Sequence, residues 1–428
     1  MRSRHRWLVA GLLLLAAGCS TVGAEDASNR SADPVATGQW PGWGFTHTQF
    51  SVDVGAPEAV TAARRSLEGT RLVQVQALMG WGAENPEPTP DEYDFDSLDR
   101  RIAFIEASGG IPVITLCCAP DWMKGGTPGE TDWGDLETAP LPEHYADFAE
   151  LAAVVAERYP GVRHYMVWNE FKGFFDDERG RWDVEAYTDL YDQVHAALKG
   201  VDPGIRVGGP YLDMAAAPEG VDDRSTLSGT WGSVDQRTLD AFEFWLANAD
   251  GADFVVVDGH ATALPGSDPV AALEKFPAVT AWMAARTDLP VWWAEWYVDP
   301  AAQEWPPEQQ RAVHVAAMLQ FAAGGADTVL FWSPRPAADG CATCLWTDPW
   351  QDAGGRAQPL LVDVLQPLAR WFPPGTSVER LPAPPGVIAL AQPSVAVAVN
   401  TTAAPAPVSV DGSTTTVGPF ETRWLPRG

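Results

Sequence analysis

HYMVWNEFKG, residues 164–173, is the stretch on which the fold turns. His164-Tyr165-Met166-Val167-Trp168 is apolar and aromatic with little alternation, the pattern of a strand covered on both faces. It stops at Asn169-Glu170, two polar side chains placed where a core strand would meet solvent. Glu is seldom buried, and an ionised carboxyl out of water is costly unless it is paired. Whether this carboxyl is structural or chemical depends on what the neighbouring strands deliver beside it.

Working outward from residues 164–168, similar short apolar runs occupy 42–45, 72–77, 111–116, 205–208, 254–257, 291–293 and 328–332. Between them lie amphipathic stretches at 97–107, 142–159, 184–199, 236–249, 271–285 and 307–323. Strands alternating with helices predict parallel βαβ units, and eight such strands predict an α/β fold closed as a (β/α)8 TIM barrel. The rival, an open doubly wound sheet, would carry a Gly-rich phosphate loop after the first strand. Trp43-Gly44-Phe45-Thr46-His47 offers none. After Trp371-Phe372-Pro373-Pro374-Gly375 the helical pattern ends. Residues 387–391 and 395–400 read as paired strands, so a small C-terminal β-sandwich-like domain (374–428) is expected to follow a barrel over 39–373.

At 428 residues, 46% of them hydrophobic, the chain is long enough for a large core, and it carries 20 Trp. Trp is a flat apolar plate with one donor, suited to cores and to stacking against sugar faces. The formal charge of 28 − 57 = −29 argues against nucleic acid or an anionic membrane as partners, and solubility is the plain reading of such acidity. Residues 1–18 read as an export signal: Arg2, Arg4, His5 and Arg6 precede a short apolar core at 8–15, too short to span a membrane. Leu15-Ala16-Ala17-Gly18-Cys19 resembles a bacterial lipobox, which would make Cys19 a lipidated first residue; an ordinary secretory peptide cleaved nearby is the alternative. Either way the protein is expected to be exported, as a membrane-anchored lipoprotein or an extracellular protein, with 19–38 as a polar tether. Cys117, Cys118, Cys341 and Cys344 then read first as disulfides, and a zinc site is the weaker alternative because the spacing matches no standard finger.

In a barrel the residues at strand C-termini point into the active-site face. The fourth strand delivers Asn169 and Glu170, and the seventh, Val291-Trp292-Trp293-Ala294-Glu295-Trp296, delivers Glu295. The sixth ends Val257-Asp258-Gly259-His260 and the eighth Phe331-Trp332-Ser333, while Ala119-Pro120-Asp121-Trp122 follows the third. A single Glu at a strand end is more often a salt-bridge or capping residue; two on opposite sides of a narrow ring, each beside Trp, are a different matter. Two carboxylates about 5–5.5 Å apart are what a retaining glycosidase uses, one as nucleophile and one as acid/base. An ionised Glu295 would raise Glu170, keeping it protonated for the leaving oxygen. Once the glycosyl-enzyme forms, Glu170 can lose its proton and activate water. Neither a metal nor any other cofactor is expected, since His260 is the only imidazole that falls beside the pair.

Trp168-Asn169-Glu170 together with Glu295 resembles the clan A glycoside hydrolases, the retaining barrels with catalytic Glu after strands four and seven. Tyr93-Asp94-Phe95-Asp96-Ser97-Leu98-Asp99, Gly110-Ile111-Pro112-Val113-Ile114, Pro120-Asp121-Trp122 and Val207-Gly208-Gly209-Pro210 are similar to glycoside hydrolase family 39, the β-xylosidase family. The resemblance implies Glu170 as acid/base, Glu295 as nucleophile, Asn169 on the sugar 2-hydroxyl, His260 beside Glu295 and Trp332 as the stacking floor. His47, Trp122, Trp296 and Trp81 would be subsite walls, for which barrel packing is the competing role. It implies a carbohydrate substrate, a β-linked glycan or glycoside. Two positions depart from the family pattern: Phe171 stands where Pro is common, and the second strand offers Gln74 and Gln76 where an Arg is usual. A clan A endo-glycanase of mannanase or glucanase type, and a non-catalytic carbohydrate-binding lipoprotein on a degenerate barrel, are the alternatives.

Overall fold

The computed structural model describes residues 42–49, 55–216, 223–298, 305–332, 343–350 and 352–428. The expected signal (1–18), tether (19–38), lipidation site Cys19 and Cys341 lie outside the described residues. Among the described residues, no helix is long and apolar enough to cross a membrane.

Eight parallel strands close into a barrel: β1 (Trp43–Thr46), β2 (Val73–Ala77), β3 (Ile111–Leu116), β4 (His164–Val167), β5 (Arg206–Asp213), β6 (Phe254–Ala261), β7 (Val291–Val298) and β8 (Thr328–Phe331), with β8 returning to β1. Helices α1 (Pro57–Leu67), α2 (Asp96–Ala107), α3 (Tyr145–Arg158), α4 (Val184–Val201), α5 (Gln236–Asn248), α6 (Lys275–Ala284) and α7 (Pro307–Gly324) follow β1 to β7 in turn. A π-helical turn at Leu360–Leu365 runs into α8 (Gln366–Trp371). The chain is therefore a (β/α)8 TIM barrel.

Local chemistry sets the helix ends. Pro at the first position opens α1 and α7, where no N–H partner is needed, and Gly325 closes α7 with a left-handed φ of 79°. Asp183 caps α4 by accepting from the Ala186 N–H at 3.2 Å. The barrel lumen is filled by alternate residues of the strands, among them Val73, Val75, Val113, Met166, Phe254, Val256, Trp292 and Leu330. Phe254 and Trp292 stack there at 4.1 Å between ring centroids. Gly208 makes this possible, because a Cβ at that position would lie 2.2 Å from the Phe254 ring.

The tail adds β9 (Glu379–Arg380), β10 (Val387–Ala391), β11 (Val395–Asn400), β12 (Ala406–Val410), β13 (Ser413–Val417) and β14 (Thr422–Pro426). β9, β10, β11 and β14 form one antiparallel sheet and β12–β13 a hairpin, giving the small β-structure expected at this end. One face of the sheet, with Ile388, Leu390, Val395, Val397 and Val399, joins the barrel's own core. The other face, with Ala389, Ala391, Ala396 and Ala398, packs on Val408, Val410 and Val417 of the hairpin. A sheet too small to bury enough apolar surface alone thus borrows surface from the barrel's helix layer.

Candidate active site

The acid-bearing turn follows β4 directly. Trp168, Glu170 and Phe171 all have positive φ, at 66°, 51° and 53°. Such residues cost about 1–3 kcal/mol each, so surrounding contacts must hold the turn in place. Trp168 is fully buried and its Nε1 donates to the Lys172 carbonyl at 2.7 Å. Phe171 is buried against Tyr187 of α4, ring centroids 4.0 Å apart, and the Tyr187 hydroxyl donates to the Val167 carbonyl at 2.9 Å. A hydrophobic anchor is what the site needs at 171, and an aromatic residue meets that need where the family pattern has Pro.

Glu295 reaches the cleft through a register shift. In β7 Trp292 and Ala294 face the lumen, which by simple alternation would turn Glu295 outward. However, Val257 pairs with Trp293 while Asp258 pairs with Glu295, so Ala294 is the extra residue of a bulge and Glu295 takes the inward phase. A second shift on the β5–β6 edge skips Tyr211: Val256 pairs with Pro210 and Val257 with Leu212. Asp213, Asp258 and Glu295 consequently stand side by side on adjacent strands. One oxygen each of Glu170, Asp258 and Glu295 lies within 4.8 Å of the others. This is closer than the about 6.5–9.5 Å at which a water fits between two carboxyl groups.

Charge in the unliganded cleft is distributed in the reverse of the sequence expectation. Lys172 Nζ sits 2.6 Å from Glu170 and 2.6 Å from Glu137. Burial alone would raise Glu170; the hydrogen bond from Asp258, the Lys172 ammonium and His260 outweigh it and bring the carboxyl below its usual range. Burial, then the Glu170 charge, pushes Glu295 up to about 8 against a hydrogen bond from Tyr211 that works the other way. Asp258 is raised well above the usual range by burial, the Glu170 charge and the hydrogen bond it donates to Glu170. Burial lifts Asp213 to about 6 although Lys275 opposes it, and burial lowers Lys275 to about 8. Lys172, two residues beyond the carboxyl it neutralises, is what a strand-by-strand reading of the sequence leaves out. Three converging carboxyls could in other settings ligate a cation. Burial and the Glu170 charge favour the protonated forms of Asp258 and Glu295, and Lys172 pairs with Glu170.

The expected site residues divide into two groups. Glu170 and Glu295 come together. Asn169, next to Glu170 in the turn, is buried and its backbone carbonyl accepts from the Lys172 N–H at 3.1 Å. His260, half-buried, stacks on Tyr297 at 5.3 Å and contributes charge at Glu170. Trp332 is half-buried at the end of β8, its N–H donating to the Trp296 carbonyl at 3.1 Å. Trp122 is half-buried on the rim, its Nε1 donating to the Glu87 carbonyl at 2.9 Å. Trp296, however, is buried behind β7 among Phe276, Phe321 and Phe331. His47 is enclosed by Phe45, Phe104 and Trp346 and paired with Gln74 at 3.0 Å, and burial takes it down to about 3. Both pack the helix layer. Gln76, also facing that layer, accepts from Arg101 of α2 at 2.9 Å, so the buried cation near β2 comes from a helix.

Four residues that strand counting does not single out belong to the site: Lys172, Tyr211, Asp213 and Asp258. Tyr211 gave no signal, although the Val207–Pro210 segment just before it did, because Tyr211 reads as ordinary core. Asp258 is visible at the end of the sixth strand but carries meaning only through the bulge that levels it with Glu295. The cysteine connectivity, open in the sequence, is fixed here in part. Cys117 and Cys118 are bonded to each other, so they form no bridge to another loop, and Cys344 is also in a disulfide.

A closed parallel barrel with carboxyls converging from the ends of its fourth and seventh strands is the arrangement expected from the sequence. Among solved structures the fold is similar to SrfJ from Salmonella typhimurium (TM-score 0.60, 14% identity, 91% of this chain and 90% of that one). It is likewise similar to a GH39 β-xylosidase from Caulobacter crescentus (TM-score 0.54, 17% identity, 87% and 79%). An endo-β-1,4-mannanase from Thermotoga petrophila also matches (TM-score 0.52, 12% identity, 90% and 97%). No family model and no curated protein matches the chain.

Proposed function

We propose that the protein is an exported retaining glycoside hydrolase that cleaves an O-glycosidic bond of a β-linked glycan or glycoside by double displacement. The observation that carries this reading is the convergence of Glu170 and Glu295, from opposite sides of the ring, to within 4.8 Å. Glu295 attacks the anomeric carbon while Glu170 protonates the leaving oxygen; Glu170 then activates the water that hydrolyses the ester. The resting cleft holds the right number of protons in the wrong place, because Glu295 carries the one that Glu170 needs. A sugar oxygen entering beside Glu170 would draw Lys172 away, and loss of that ammonium favours the proton on Glu170.

Glu295→Ala should abolish hydrolysis of activated aryl glycosides, and added azide should then yield a glycosyl azide of inverted anomeric configuration. Glu170→Ala should lower turnover of poor leaving groups by about 10²–10⁴-fold while largely sparing dinitrophenyl glycosides. Equal, small losses in both variants would sink the assignment. An endo-acting version is favoured by one feature, a rim cavity of about 440 Å3 lined by Trp81, Trp133, Gln49 and Glu84, with Trp133 exposed. Oligosaccharide products of mixed length would select it; single sugars released from a chain end would not.

Export rests on the basic and apolar pattern of residues 1–18 and the lipobox-like run into Cys19. Disulfide chemistry at Cys117 and Cys118 suits an oxidising compartment.

A further inference from the structure

Asp258 is the one member of the carboxyl trio to which the double-displacement scheme gives no work. It is 2% exposed and lies on β6 between Asp213 of β5 and Glu295 of β7. Its carboxyl hydrogen-bonds Glu170, yet its Oδ1 is buried without a hydrogen-bond partner. The remaining oxygen therefore serves Glu170, and the Asp258 carboxyl also neighbours that of Glu295, one oxygen of each lying within 4.8 Å of the other. Leaving an acceptor buried and unsatisfied costs about 1–3 kcal/mol, so the vacancy at Oδ1 is a feature to be explained.

We propose that Asp258 is a proton relay between Glu295 and Glu170, converting the resting cleft into its reactive form without exchange with bulk water. This inference rests on the double-displacement reading above. In the step, the O–H bond of Glu295 breaks and its proton goes to Asp258 Oδ1. At the same time the proton on the other Asp258 oxygen passes to Glu170. Glu295 ends ionised and ready to attack, Glu170 ends protonated, Asp258 is again neutral, and the charge of the trio is unchanged. No electrons move. A carboxyl suits this role because its two oxygens are chemically equivalent and face two partners at once, which an amide or an imidazole in one tautomer does not offer.

The relay is biased from all sides. Lys172, backed by Glu137, holds Glu170 ionised at rest, and its departure reverses the preference. Tyr211 on β5 donates to Glu295 and favours its ionised form. Asp213 and Lys275 oppose each other on the far side of Asp258, and Lys275 Nζ is fixed by the His260 carbonyl at 2.7 Å. His260 contributes positive charge at Glu170. Gly259 between Asp258 and His260 has a φ of 144°, a conformation that residues with a side chain rarely adopt.

The test compares Asp258→Asn and Asp258→Ala with wild type. Asp258→Asn keeps the shape and a donor but cannot pass a proton. It should lower kcat for alkyl or sugar leaving groups by about 10²-fold, spare dinitrophenyl glycosides much more, and move the alkaline limb of the pH profile to lower pH. Asp258→Ala opens space for a small acid, and added formate should restore part of the lost rate; it should not help Asp258→Asn. A uniform loss across leaving groups with an unmoved pH profile and no formate rescue would reduce Asp258 to packing. Independently of turnover, 13C NMR of carboxyl-labelled protein should show Asp258 still protonated at neutral pH, with its titration step mirrored at the Glu170 resonance and abolished there in Asp258→Asn. Asp258 titrating as an ordinary carboxylate would overturn the relay even if the glycosidase assignment stood. Should the titration behave as expected in a protein that hydrolyses no glycoside, the proton sharing stands and the enzymatic reading fails.

Discussion

Glu295 carries two demands that pull apart. Catalysis wants it ionised in the presence of sugar, while burial and Glu170 keep it protonated up to about 8 at rest. That tension has a thermodynamic signature. In the unfolded chain the carboxyl titrates near its usual value of 4.5, so between there and about 8 the folded protein holds a proton that the unfolded chain has released. Stability contributed by this group is therefore full at low pH and is lost as pH rises through about 8; Asp213 adds a loss of the same sign that is complete by about 6. Lys275, lowered to about 8, acts oppositely, and its contribution to stability grows with pH above that point. Glu295→Gln should flatten the fall of Tm between pH 6 and 8. A slope equal to wild type would show that Glu295 is ionised in the resting protein. The sequence made Glu170 and Glu295 legible, because each ends an apolar run and takes its meaning from its strand number. It did not make their charge states legible, since Lys172 acts through a turn whose geometry depends on three left-handed residues and an aromatic anchor.

Among the elements, the β-strands that are apolar along their whole length were readable nearly residue for residue. Residues 387–391 and 395–400 emerge as β10 and β11 with those bounds, and 111–116 as β3. The strands that run longer than their apolar cores, β5, β6 and β7, are the ones that carry Asp213, Asp258 and Glu295. Their polar ends broke the apolar pattern, so the sequence stopped them early at the point where function begins. Bulges at Tyr211 and Ala294 were equally hidden, because a register is a property of two strands and leaves no mark on either alone. The turn after β4 offers a test at this scale. Phe171→Ala removes the ring packed on Tyr187 and should cost about 3–5 kcal/mol, read as a drop in Tm. Because the strained turn loses its anchor, kcat for poor leaving groups should fall further than the KM rises. Full activity in a destabilised variant would mean that the Glu170 backbone is held by Trp168 alone.

At the level of the whole molecule, identities of 12–17% to structures of the same fold illustrate what a barrel requires of its sequence. It asks for apolar strands, amphipathic helices and short connections, and many sequences meet those terms. The tail sheet and the barrel share one core, so the two were bound to be stable or unstable together. The net charge of −29 fits a protein that is kept dispersed and reaches a membrane, if at all, by a covalent anchor. Cys19→Ala should shift the protein from the membrane fraction to the soluble one and remove labelling by a fatty-acid probe. Persistent labelling would exclude Cys19 as the site of attachment.

The aromatic fastening of the Glu170 turn also bears on how such a cleft can diversify. Phe171 meets Trp182 at 6.0 Å between centroids, so the loop 175–181, beyond Lys172 and the buried Phe174, leaves and rejoins the scaffold at two points that lie close together. A segment with its ends pinned together works as an exchangeable cassette: its length and composition can change while the proton donor stays put. Grafting at this junction is the natural route to a new substrate preference on an unchanged chemical centre.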